Sequence, residues 1–461
     1  MSEGHEFSVR GKRVTVAGAA RSGVAAAELL VRRGADVILS DTREQIDEEH
    51  RLRDVGVNLE LGGHRLETFV KADLVVLSPG VPVSLPVVTA AQQAGVTVIG
   101  ELELASRWLR GRIVAITGTK GKSTTTTLTG RMLEAGGHKV LVGGNIGQAL
   151  SAQVEHSTAD TIHVIETSSF QLETIDTFHP WVAVLLNFSP DHLDRHASVV
   201  EYASAKARIF ENQTEADWAV LNTDDPAVES LASHARSRRL YFSMHAELPD
   251  GLVIDGDQIV RKTAAGEEPL VPLSSIRLLG RHLFADVLAA CAVAGIAGVD
   301  GAAMTRAVEG FSGLEHALEP AGVIGHVQFV NDSKATNIEA ARRSVEAFDA
   351  GVVAIVGGRF KGGDFRDLAA ALAARGATVV AIGEARSLIR EALGPVIQVL
   401  EADDMRSAVR KAFAAAPPGG TVVLAPACSS FDMFRDYAER GRVFKQEVLA
   451  LESEWNVTRE Q

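Results

Sequence analysis

The chain has 461 residues, of which 46% are apolar and 23% charged, so it holds material for several buried cores and is not a largely disordered polymer. Its 46 basic residues are outnumbered by 59 acidic ones, and the net charge of −13 excludes a broadly basic surface for nucleic acid. Two cysteines, Cys291 and Cys428, supply neither a disulfide framework nor a cysteine-rich zinc site, which fits a reducing cytoplasm.

The first nine residues carry Glu3 and Glu6 in place of a basic and then apolar leader, so no secretion signal is expected. From there β-branched runs that end in glycine turns alternate with helical patterns, the pattern of parallel α/β construction. Over residues 1–108 the pattern predicts strands at 14–17, 36–39 and 74–77, a turn at 18–23, and helices at 24–33 and 101–108, a small Rossmann-like domain. A central domain is expected over 109–313. It has strands at 113–116, 163–165 and 182–186, a helix at 123–135 and exposed hairpins at 250–268. The Ala- and Gly-rich stretch 287–299 predicts a buried helix, since 13 residues fall short of the about 20 that span a bilayer. No membrane contact is expected. The last domain, 314–461, offers strands at 327–330, 352–356, 379–382 and 422–424, a third Rossmann-like α/β unit with a Pro-Pro-Gly-Gly turn before its last strand.

The strongest local signal is Gly118-Thr119-Lys120-Gly121-Lys122-Ser123-Thr124 between a predicted strand and helix. Backbone N–H groups of such a loop and the helix N-terminus surround phosphate oxygens, with Lys122 reaching the terminal phosphates and Ser123 available to Mg²⁺. Only two residues separate the two glycines where the common loop has four, so this is a variant phosphate loop; an ordinary glycine-rich turn is the bland alternative. Glu166 and the pair Asp191-His192 follow later strands of the same domain, at the strand ends where open α/β sheets place ligands. Each alone is more often a capping or turn residue. In the first domain, Gly18-Ala19-Ala20-Arg21-Ser22-Gly23 after a strand, with Asp41 ending the next, suggests a dinucleotide site, but Ala20 stands where the glycine that admits a pyrophosphate belongs.

The phosphate loop, Gly144-Asn145-Ile146-Gly147, Glu166-Thr167-Ser168-Ser169-Phe170-Gln171-Leu172 and Asp191-His192-Leu193-Asp194-Arg195-His196 resemble the Mur ligases of peptidoglycan precursor synthesis. Asn331-Asp332-Ser333-Lys334-Ala335-Thr336-Asn337 and Pro426-Ala427-Cys428-Ser429-Ser430-Phe431-Asp432 point to the member that joins D-glutamate to UDP-N-acetylmuramoyl-L-alanine. The resemblance covers essentially the whole chain and implies ATP and two Mg²⁺ ions. Gly118 to Thr124 and Asp332 would then hold the nucleotide. One Mg²⁺ would sit on Ser123 and Glu166, the second near Glu166, His192 and a carbamylated Lys206. Arg21, Ser22, Asp41, Thr42, Arg43, Ser78 and Gly80 would meet the UDP end of the sugar nucleotide, and Asn145 the sugar or its alanyl arm. Lys334, Thr336, Lys361, Ser430 and Tyr437 would surround D-glutamate, whose two carboxylates suit paired lysines and hydroxyls. A monomer is expected.

The chain departs from the family pattern at Lys120, where asparagine is usual, at Leu283 and Asp286, where two asparagines are usual, and at Ala317, where an arginine is usual. Tyr437 adds only a hydroxyl to the usual phenylalanine. Losses on the nucleotide side imply weakened ATP binding or compensation by Arg281 and Lys120. Two other readings follow: a sister Mur ligase or folylpolyglutamate synthase, which the last two motifs oppose, and a nucleotide-binding regulator without turnover, which the joint presence of Lys122, Ser123, Glu166, His192 and Lys206 opposes.

Overall fold

The computed structural model describes residues 7–191, 195–278, 280 and 283–460, with side chains as far as 457. Three sheets follow one another along the chain. The first has five strands in the order Asn58–Glu60, Asp36–Ser40, Arg13–Ala17, Leu74–Leu77, Thr97–Gly100, all parallel. Crossing connections between parallel strands require helices on the sheet faces, and both faces are accordingly apolar: Val16, Leu39 and Val76 pack on one side, Ala17, Val75 and Leu77 on the other.

The second sheet has nine strands. Lys139–Gly144, Thr161–Glu166, Arg112–Thr117, Val182–Leu185, Trp218–Asn222, Arg238–Ser243 and Gly251–Asp255 run parallel, and Gln258–Thr263 and Gly266–Pro272 complete it as antiparallel hairpins. The third has six strands in the order Glu319–Ile324, Val327–Asn331, Thr421–Leu424, Val352–Gly357, Thr378–Ile382, Gln398–Glu401, parallel except for its first edge. The helix expected at 287–299 runs over Phe284–Ile296, with a continuous buried stretch from Asp286 to Ala294. The helix expected at 101–108 stops at Ser106.

By contact density the chain forms two compact units, one of Met1–Ser275 and Phe284–Glu309, the other of Ile276–Leu283 and Gly310–Gln461. The first unit contains the first two sheets and the second unit contains the third. Within the first unit, Gly23 carries a steric demand set by the turn after the first strand. A Cβ there would lie 1.8 Å from the Gly18 carbonyl oxygen and 2.5 Å from Ser78 Oγ, so only glycine lets the Arg21–Arg32 helix seat against the turn. Gly23→Ala is expected to lower the first unfolding midpoint, at a cost of about 2 kcal/mol for forced overpacking, as read by calorimetry.

Candidate active site

Register in the central sheet brings the key groups together. Ile116, just before the phosphate loop, pairs with Glu166, and Glu166 pairs on its other side with Gly144. Gly144 has φ +94°, and a Cβ on it would lie 2.5 Å from the Glu166 carbonyl oxygen, so the turn that presents Asn145 is possible only with glycine. The Glu166 side chain is 2% exposed and both its oxygens are used: Ser123 Oγ donates to Oε2 at 2.6 Å and Asn145 Nδ2 donates to Oε1 at 2.8 Å.

The phosphate loop is held in shape by Asn187. Its Oδ1 accepts from the amides of Thr119 (3.1 Å) and Lys120 (2.9 Å), while its Nδ2 donates to the Lys120 carbonyl (3.1 Å). Gly118 (φ +157°) and Gly121 (φ +82°) provide the backbone freedom that the loop needs. Lys122 Nζ donates back to the carbonyls of Gly118 and Thr119, both at 3.0 Å, and Lys206 Nζ donates to the same Gly118 carbonyl at 2.7 Å. Thr124 follows on the first turn of the Lys122–Ala135 helix.

Lys206 is 1% exposed. Burial pulls its ammonium down to about 6, and nearby Lys122 adds to the fall. At neutral pH it is therefore mainly a free amine, the form that reacts with carbon dioxide. Asp286 is displaced in the opposite direction: burial raises its carboxyl to about 8, with Lys122 opposing the rise. It packs so closely on the loop that a Cβ on Gly121 would lie 2.1 Å from its Oδ1. Asp286, at a position where the resemblance implies asparagine, is thus held toward its protonated form by burial. Lys120 lies 3.7 Å from the Asp191 carboxylate. His192 and Arg281 lie outside the described residues.

In the same unit a cavity of about 400 Å³ is lined by Arg21, Ser22, Asp41, Arg43, Ser78, Gly80 and Asn145 among others, while Thr42 is exposed beside it and does not line it. Burial alone would raise the Asp41 carboxyl. The forked hydrogen bonds from Arg43 Nε and Nη2, both 3.0 Å, and the Ala19 amide at 2.6 Å prevail and hold it at about 2. Arg21 reaches the Gly147 carbonyl at 3.1 Å. Asn145 belongs to this cavity and to the Glu166 cluster at once.

The second unit gathers the two late motifs around Arg440, a fully buried guanidinium that carried no sequence signal. Its Nε donates to Ser333 Oγ (2.9 Å), Nη2 to the Ser333 carbonyl (2.9 Å) and Nη1 to the Cys428 carbonyl (3.1 Å), and burial lowers it to about 10. Ser333 Oγ in turn donates to the Tyr437 carbonyl at 2.7 Å. Asp332 is buried and pushed up to about 6, with the Ser344 hydroxyl donating to it. Ser430 is buried, whereas Lys334, Lys361 and Tyr437 are exposed and Thr336 is half-buried. Ala317 sits on a tight turn, its amide on the Leu314 carbonyl, after His316 at φ +65°. Leu283 begins the approach to the Phe284–Ile296 helix. Cys291 and Cys428 are buried, one in each unit, and burial pushes both thiols to about 12.

Three family models match the chain in order: the MurD-like N-terminal domain of Mur ligases over residues 12–100, the Mur ligase middle domain over 116–294, and the Mur ligase glutamate ligase domain over 318–428. The chain belongs to the Mur ligase family. It is similar to UDP-N-acetylmuramoylalanine--D-glutamate ligases of Acidobacterium capsulatum, 46% identical over 96% of this chain and 97% of that protein, and of Koribacter versatilis, 43% identical over 96% and 98%. Its fold is that of solved Mur ligases. The UDP-N-acetylmuramate-alanine ligase of Thermotoga maritima superposes with a TM-score of 0.60 at 18% identity over 95% of this chain and 99% of that one. The MurF ligase of the same organism, solved with ADP, superposes with a TM-score of 0.57 at 17% identity over 96% of both. Membership makes this Mur ligase an ATP-dependent amide-bond-forming enzyme of three α/β domains.

The raised acid in this Mur ligase has a measurable sign. Between the unfolded carboxyl's 3.8 and the folded value of about 8, the native state holds a proton that the unfolded state has lost, so Asp286 reduces stability progressively as pH rises through that window. Asp286→Asn, which does not titrate, is expected to raise the melting temperature over wild type by an amount that grows from pH 5 to pH 8 and levels off above it.

Proposed function

We propose that this Mur ligase joins D-glutamate to UDP-N-acetylmuramoyl-L-alanine with cleavage of ATP to ADP and phosphate. One observation carries the reading: the two oxygens of Glu166 are shared between Ser123 of the phosphate loop and Asn145 of the 400 Å³ cavity. A γ-phosphate on the loop and the carboxylate end of a molecule in that cavity would therefore converge on one buried anion. The names of full-length relatives at 43–46% identity supply the substrates.

The cavity takes the UDP end, with Arg21 and Ser22 toward the phosphates and Asp41 and Arg43 toward uracil or ribose, while Thr42, outside the lining, would meet the ligand only at the rim. Ser78 and Gly80 complete the pocket, and Asn145 meets the sugar or its alanyl arm. The alanyl carboxylate attacks the γ-phosphorus, the bond to ADP breaks, and an acyl phosphate forms. The free amine of D-glutamate then adds to the acyl carbon. The tetrahedral adduct loses phosphate and the nitrogen gives up a proton. Phosphorylation is needed because a carboxylate has only oxide as its leaving group. Lys122, drawn off the Gly118 and Thr119 carbonyls, would pair with the β- and γ-phosphates. Asp332 would contact the nucleotide, and Lys334, Thr336, Lys361, Ser430 and Tyr437 would receive D-glutamate.

The donor set of Ser123 hydroxyl and buried Glu166 carboxylate, all oxygen and hard, suits Mg²⁺. We assign one ion to that pair and a second to Glu166, His192 and Lys206 as its carbamate; when bound, they neutralise charge on the transferring phosphoryl group. The neutral amine of Lys206 supports carbamylation: its nitrogen bonds to the carbon of CO2, a proton leaves, and an oxygen ligand results. Domains at 1–108, 109–313 and 314–461, a monomeric state and a cytoplasmic location complete the reading. No helix among the described residues is long and apolar enough to cross a membrane.

Phosphate release with Mg²⁺-ATP and UDP-N-acetylmuramoyl-L-alanine should require D-glutamate and fail with L-glutamate, L-alanine and diaminopimelate. Lys122→Ala should reduce kcat at least about a thousandfold. Turnover with another amino acid would assign a sister ligase, and nucleotide binding without turnover under any pairing would assign a regulator. Enzyme stripped of CO2 at low pH should lose activity and regain it with bicarbonate, and Lys206→Ala should be low and insensitive to bicarbonate.

A further inference from the structure

Arg195 stands between the cavity and the phosphate loop, in a place that the proposed chemistry does not use. Its Nη1 donates to the Gly80 carbonyl at 3.1 Å and its Nη2 to the Pro79 carbonyl at 3.3 Å, and both residues line the 400 Å³ cavity. The same guanidinium lies 4.5 Å from the centre of the Phe170 ring. Phe170 stacks on His196 with centroids 5.2 Å apart and planes at 17°. His196 is buried, with Nε2 at 2.9 Å from Ser169 Oγ and Nδ1 at 3.0 Å from Glu173 Oε1, and its ring lies 5.1 Å from that of Tyr202. Tyr202 Oη is 3.2 Å from Thr119 Oγ1 in the phosphate loop. A continuous run of contacts, Gly80 to Arg195 to Phe170 to His196 to Tyr202 to Thr119, thus joins the two sites inside one unit.

Each link is stiff. A planar guanidinium bonded to two successive carbonyls accepts one arrangement of the turn, and a stacked pair of rings transmits a displacement where a flexible aliphatic contact would absorb it. A ligand that fills the cavity would bear on the Ser78-Pro79-Gly80 turn, whose carbonyls hold Arg195.

We infer that Arg195 is a positioning residue that couples filling of the cavity to the set of the phosphate loop, so that sugar nucleotide and ATP bind cooperatively. The inference rests on the assignment of the cavity to the sugar nucleotide and of the loop to ATP. Contiguity alone does not establish coupling, so the test is the coupling factor itself. The full chain is titrated calorimetrically with the Mg²⁺ complex of a non-hydrolysable ATP analogue, alone and with saturating UDP-N-acetylmuramoyl-L-alanine.

In wild type the second ligand should change the affinity for the first at least about fivefold, and the reverse titration should give the same factor. Arg195→Lys, which keeps the charge but loses the fork, and Phe170→Leu, which breaks the ring stack away from both sites, should each bring the factor to within about twofold of one. Affinity for the nucleotide analogue alone should stay within about twofold of wild type. Melting curves identify a variant that fails to fold, and the other variant then decides. No coupling in wild type, or wild-type coupling retained in a folded variant, overturns the inference while leaving the proposed function intact. Failure of the wild type to bind either ligand overturns the proposed function, and the inference with it.

Discussion

A carboxylate taken out of water must be met by donors on both oxygens, and Glu166 is met by two residues from different parts of the chain. That requirement orders the central domain. The strand register sets Glu166 between the strand that feeds the phosphate loop and the strand that ends at Gly144, so Ser123 can reach one oxygen and Asn145 the other. A one-residue slip of the Glu166 strand against these neighbours would turn its side chain to the opposite face, away from both donors. The close approach at Gly144, the left-handed Gly121 and the Asn187 bonds to the loop all serve to keep those two donors in place.

Burial also divides the labour among the ionisable groups. The same loss of water lowers Lys206 and raises Asp286, so a potential cation and a potential anion both become neutral beside the phosphate loop. Lys122 remains the cation poised on loop carbonyls. A site prepared in this way would set no charged Asp286 carboxylate against an incoming anion.

Local sequence carried much of this. The run Gly118 to Thr124 announces itself by spacing alone, and the long buried strands announce themselves by continuous β-branched residues. Strands Lys139–Gly144 and Arg238–Ser243 did not, because glycines and paired arginines dilute the pattern that neighbouring strands then complete. Asn187, Tyr202 and Arg440 were illegible for another reason. Each acts across dozens of residues of chain, on partners that only the fold brings near, and none stands in a spacing that chemistry would recognise. Family resemblance named Asn145 and Lys206, but their shared setting, one on Glu166 and the other on Gly118, is a matter of three dimensions.

The two buried cysteines have a practical consequence. Each compact unit holds one thiol, Cys291 in the first and Cys428 in the second, and burial keeps both protonated and shielded. Thiolate is the reactive form, so alkylating reagents modify either residue slowly while its unit stays closed. The chain therefore carries a natural pair of chemical clocks. Mass-resolved labelling of the two positions over time would time the breathing of each half separately, with no engineered probe and no dye in the way.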